Sequence, residues 1–91
     1  MTRLYDRVMG WIKDAKAGSL AQDAKKAWDA GSPVFTPLLN MPMTHGGLSG
    51  RIEDWEKMMA AVLEAGWILH TWAVCSDSHG RPQAQPLFLR P

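Results

Sequence analysis

A single cysteine, Cys75, stands in the 91-residue chain, which excludes an internal disulfide and a zinc framework built from several thiolates. Such sparing use of thiols favours a reducing compartment, and the expected localisation is cytoplasmic. No block of five like charges occurs, and ten Lys and Arg against nine Asp and Glu leave a net charge of +1, whereas a dedicated nucleic-acid binder is usually more basic. No stretch approaches the ~18 consecutive apolar residues that a bilayer crossing requires, so no membrane partner is expected. Between Met1 and Ala15 the residues Arg3, Asp6, Arg7, Lys13 and Asp14 interrupt any apolar core of a secretory signal.

What the chain does have is large apolar side chains: 46% of its residues are hydrophobic and five are Trp. That is enough to close one core without a disulfide or a structural metal, and the length implies one domain, residues 1–91. A domain this small hides only about 60 to 65% of the surface of its unfolded chain. Part of the Trp area is therefore expected to be covered by a partner or a second copy.

The pattern of the first third is helical. Leu4, Val8, Trp11, Ile12 and Ala15 recur at helical spacing with charges between them, which predicts a helix over about 2–17. Gly18 then reads as a break, with Ser19 and Gln22 as a capping box for a second helix over about 20–30. Its apolar side is Leu20, Ala24, Ala27 and Trp28, and Gly31 is placed to end it. If the capping box is unused, the two become one bent helix.

Residues 33–91 read as a β-α-β-β unit. Val34, Phe35, Leu38 and Leu39 form a short strand over 33–40 that contains Pro37 and so belongs at a sheet edge. A loop over 41–50 leads to a helix over about 51–65, with Ile52, Trp55, Met59, Val62 and Leu63 on one face and early acids suited to its N-terminal end. Gly66 stops that helix. Trp67 to Cys75 is aromatic and β-branched, a turn follows over 76–82, and 83–90 returns as a strand containing Pro86. Because only 67–75 lacks proline, it is expected to be the central strand. The expected fold class is α+β, N-terminal helices followed by a three-stranded sheet of order 1-2-3, with the first two strands parallel and the third helix as their crossover. The other sheet face is left to the N-terminal helices or to a second subunit.

Several residues invite a chemical reading. His45, Gly46, Gly47, Ser49 and Gly50 lead into a helix N-terminus, where converging backbone amides suit a phosphate or carboxylate. The glycine spacing does not fit a dinucleotide fingerprint, no Lys follows as in a P-loop, and no G-x-S-x-G elbow accompanies the His-Gly-Gly run. His70, Cys75, Asp77 and His79 lie within ten residues, yet His70 and Cys75 are an odd number of positions apart and point to opposite faces of a strand. Glu53, Asp54 and Glu56 crowd the start of the third helix and complement its dipole. No catalytic residue, metal or cofactor is expected. Met41, Pro42 and Met43 place adaptable apolar side chains in a loop, which suits a contact surface. Trp11 and Trp72 are grouped with them as candidate contact residues.

The Ala-Gly-Trp run at 65–67 and the closing Pro-Leu-Phe-Leu-Arg at 86–90, together with the strand, glycine-containing loop, helix, strand and turn around them, resemble small bacterial domains of unknown function found in actinobacteria and their phages. The likeness spans about residues 33–91 and implies a fold, not an activity. The leading expectation is a non-enzymatic structural or protein-interaction module that self-associates as a dimer or binds another protein, packing through helices or sheet faces because edges containing Pro37 and Pro86 disfavour strand addition. The alternatives are a nucleic-acid-binding regulator using Arg3, Arg7, Lys13, Lys16, Lys25 and Lys26 on a helix-turn-helix-like pair, and a small anion-binding or acyl-handling enzyme using loop 45–50.

Overall fold

A computed structural model describes residues 4–42 and 50–91, with side chains described from Lys16 onward in the first helix. The elements are α1 (Leu4–Asp29), β1 (Val34–Phe35), β2 (Leu39–Asn40), α2 (Glu53–Glu64), β3 (Ile68–Ser76) and β4 (Pro82–Leu89). The chain is α+β, as the patterning requires, but three features differ from the sequence-based expectation.

The first concerns the N-terminal third. One continuous helix replaces the two expected, running through Gly18 with no break. Gly18 is exposed and open space surrounds the position of a Cβ, so the residue lowers helix propensity without redirecting the chain. The real stop is at Gly31, in the left-handed region at φ +79. There the Ser32 N–H donates to the Ala27 carbonyl and the Gly31 N–H to that of Trp28, a Schellman closure that satisfies the last helical acceptors.

The second difference is the strand order. β4 is central, with β3 along one edge and β1 and β2 along the other, and every pairing is antiparallel. The expected order 1-2-3, with a central 67–75 strand and a parallel first pair, is thus overturned. Proline explains why its argument failed. β1 and β2 share one register on β4, Val34 opposite Leu89 and Leu39 opposite Ala84, and extending that register sets Pro37 opposite Pro86. Because Met41 N–H donates to the Pro82 carbonyl, alternation turns the peptide groups of Ala84, Pro86 and Phe88 toward this same side. The donor that Pro86 lacks would have pointed at the gap between β1 and β2. A proline is tolerated in the central strand because its neighbour is interrupted there by another proline.

The third is the cover of the sheet. Ala84, Pro86 and Phe88 alternate inward along β4, and with Leu39 they meet Leu20 and Ala24 of α1 and Trp55 and Val62 of α2 in one core. Both helices therefore lie on the same face. The opposite face, carrying Val34, Ile68, Ala73, Leu87 and Leu89 by register, is not covered by α1, and Val34, Ile68 and Ala73 on it are exposed.

Trp67 ties these layers together. It is 1% exposed, its indole N–H donates to the Ala24 carbonyl at 2.9 Å, Trp28 meets it edge-on and Phe35 stacks on it. Trp67 follows the Gly66 stop of α2, yet the helix that its indole bonds is α1. Arg90 lies over the rings of Trp28 and Trp67 and donates to the carbonyls of Ser32 and Trp28. Gly66, at φ +109, sits where a Cβ would come within 3.1 Å of the Trp28 ring.

The two glycines give opposite expectations. Gly18→Ala should raise stability by about 0.5 to 1 kcal/mol, and Gly66→Ala should lower it by roughly 1 to 3 kcal/mol. Urea denaturation checks both; a destabilised Gly18→Ala would argue for a break in α1.

Candidate functional site

The feature that departs most from an ordinary small domain is β3. All nine of its residues are exposed, including Trp72 at 50% and Val74 at 62%. It is an edge strand, and the stretch 68–76 holds neither a proline nor a charged side chain. Edges of natural sheets are commonly blunted by those residues or by bulges; β3 has one irregularity, where the register shifts between Leu69 and Thr71 around His70.

Alternation defines what this edge offers. Peptide groups of Gln83, Gln85 and Leu87 face β3, so Cys75, Ala73 and Thr71 opposite them complete the ladder. Those of Trp72, Val74 and Ser76 point away from β4. On the helix-facing side, β3 carries Leu69, Trp72 and Val74, set by their partners Phe88, Pro86 and Ala84. Helix α2 shelters only part of this row. Its Trp55 meets Trp72 edge to face, and a groove of about 490 Å³ remains between helix and strand, lined by Ile52, Trp55, Met59, Ala60, Leu63 and Trp72 among others. Leu63, which the periodicity assigned to the core face, is 48% exposed there.

At the mouth of the groove Arg51 and Glu56 form an exposed, bidentate ion pair. Hydrogen bonding to Glu56, helped by its charge, raises the Arg51 pKa, and the Arg51 guanidinium holds the Glu56 carboxyl below its ordinary range. A polar cleft of about 350 Å³ lies elsewhere, between α1, β2 and the start of α2, and includes Lys16, Ser19, Asp23, Asn40 and Asp54. Asp54 is 3% exposed and lies 3.5 Å from Lys16 Nζ. Asn40 is taken up by structure, its carbonyl accepting from the Trp55 indole and its side-chain oxygen from Gln83.

Of the contact residues proposed from sequence, Trp72 lies on the open strand. Met41 and Pro42 are half-buried, and Met41 packs against the core, continuing β2 through its bond to Pro82. Met43 lies outside the described residues, and so does the side chain of Trp11. His45, Gly46, Gly47 and Ser49 also lie outside them. Gly50 is exposed at φ +142. Glu53, Asp54 and Glu56 occupy the first turn of α2, where three carboxylates oppose the binding of an anion to the helix end. The helix-turn-helix-like pair has no counterpart, since α1 is continuous.

The His70, Cys75, Asp77 and His79 group does not assemble into a site. Asp77 accepts the backbone N–H groups of His79 and Arg81 and so fixes the β3–β4 turn. Ser78 and His79 Nδ1 approach to 3.3 Å on that exposed turn, with the Asp77 carboxylate engaged by the backbone. Among the described residues no group of three or more His, Cys, Asp or Glu is arranged to hold a metal ion, and no helix is long and apolar enough to cross a membrane. Sequence reasoning missed the open edge because it made 67–75 central; the absence of charge and proline in that run was its one visible signal.

Comparison of the chain with protein-family models, curated proteins and solved structures returned no match.

The ion pair at the groove mouth gives a pH prediction. A carboxyl whose folded pKa is depressed stabilises the fold above its ordinary pKa, and that contribution is lost as pH falls through the depressed value. The stability difference between the parent and Glu56→Gln should therefore be present at neutral pH, vanish on acidification and shrink in high salt. Denaturation midpoints across a pH series check this; a difference unchanged in acid would contradict the pairing.

Proposed function

We propose that this chain is a non-enzymatic protein-interaction module that self-associates through the open edge of its sheet. The observation that carries the reading is β3 itself, nine exposed residues without a charge or a proline. A strand edge with unpaired peptide groups and flanking apolar side chains is a template for another strand. The adjoining groove adds apolar surface from Leu63, Met59 and Trp72, the kind of rigid aromatic and adaptable thioether area that partners use.

A reducing, cytoplasmic setting belongs to the same proposal and rests on the exposed Cys75 thiol. So does kinship with small actinobacterial or actinophage domains, which rests on the Gly66-Trp67 and Leu87-Phe88-Leu89-Arg90 runs alone. Nucleic-acid binding has less support, because Asp23 and Asp29 interleave with Lys16, Lys25 and Lys26 on one helix. Anion handling has less again, given the carboxylates at the start of α2.

Light scattering over a concentration series tests the proposal. The parent should approach twice the monomer mass, and Val74→Lys should stay monomeric with the unfolding midpoint that the parent shows in dilute solution, because Val74 is 62% exposed. A parent that remains monomeric at the highest soluble concentration would contradict self-association.

A further inference from the structure

Building on the proposed self-association, we infer that the partner of β3 is the β3 of a second copy, paired antiparallel about a two-fold axis at Ala73, so that Trp72 of each chain lies opposite Val74 of the other.

The outward peptide groups restrict the pairing. Only residues whose backbone faces the free edge can exchange hydrogen bonds across it, and in the regular part of β3 these are Trp72, Val74 and Ser76. An antiparallel pairing of Trp72 with Val74 uses two of them twice, once on each side of the axis. Trp72 and Val74 share the helix-facing side, so the result is two copies of an aromatic against β-branched cross-strand pair, a favourable combination. On the other side the same register sets Ala73 against Ala73 and Thr71 against Cys75. These are the closely spaced, non-hydrogen-bonded positions, with Cα atoms about 4.5 Å apart, and small residues fit them. Ser76 falls opposite His70, where the irregularity ends regular pairing.

Three features favour a second copy over a different polypeptide. The 68–76 run carries no charge, so pairing it with itself opposes no like charges, and nothing in it selects a partner by charge. Each chain also completes what the other lacks. Helix α2 reaches Trp72 but leaves Val74 at 62% exposure, and the two-fold brings the other copy's Trp72 beside it. Finally, the assembly closes. The opposite sheet edge, β1 and β2, is interrupted at Pro37, so one pairing exhausts the edge suited to strand addition and yields a dimer rather than a filament.

The register is tested by disulfide formation. In a Cys75→Ser background, Ala73→Cys places two thiols across the axis within the Cα range of a disulfide. Mild oxidation should convert most of this chain to a covalent dimer. Gln85→Cys in the same background, exposed on the neighbouring β4, should remain a monomer on a non-reducing gel. Circular dichroism of each variant checks that the fold is kept; should Ala73→Cys perturb it, Val74→Pro, which removes an outward N–H and leaves the β4 ladder intact, is expected to abolish dimerisation. A dimeric parent whose Ala73→Cys variant does not cross-link, or cross-links no better than Gln85→Cys, overturns this register and leaves self-association standing. A parent that is monomeric throughout, with no cross-linking, overturns both.

Discussion

The burial of Trp67 is the constraint on which the architecture depends. One side chain, placed in the core just before β3, bonds a carbonyl of α1 and stacks on Phe35 of β1, so the first helix and two strands on opposite sides of β4 are tied at a single ring. Around it Gly66 leaves room for Trp28, and Arg90 binds the end of α1 while covering both indoles. Loss of an aromatic ring of this size from a core typically costs about 3 to 5 kcal/mol, a large share of what a domain this small has. β3 is held by Trp67 just before its first residue and by its ladder with β4, while α2 meets it at Trp72 and leaves the rest of the strand exposed.

Two prolines set the rest of the sheet. Pro37 and Pro86 fall in one register, so the missing donor of one strand faces the interruption of the other. No ladder bond is asked of either ring nitrogen, and β4 can be central although it contains Pro86. Along the other edge of the sheet, the peptide groups of Trp72, Val74 and Ser76 point away from β4.

Much of this was legible in the residues. Helix α2, its stop at Gly66, the hairpin of the last two strands and the edge position of the Pro37 strand follow from apolar spacing, glycine and proline chemistry, and turn composition. Strand order was not legible, because counting prolines strand by strand cannot reveal that two of them fall opposite one another where the neighbouring strand is interrupted. The continuity of α1 was left as the alternative: Ser19 and Gln22 have the form of a capping box, yet the helix runs on through Gly18, with Leu20, Ala24, Ala27 and Trp28 packed in or against the core. The open edge was hidden by the same error that made 67–75 central, and the apolar row read as core is surface.

The proposed interaction role rests on one imbalance, a strand of uncharged and largely apolar residues that lies exposed along the sheet edge. Residue-resolved amide hydrogen exchange measures that directly. In dilute solution Thr71, Ala73 and Cys75 should be protected by β4 while Trp72, Val74 and Ser76 exchange freely, and at high concentration Trp72 and Val74 should become protected too. Exchange at Trp72 and Val74 that is equally fast at every concentration would contradict a paired edge.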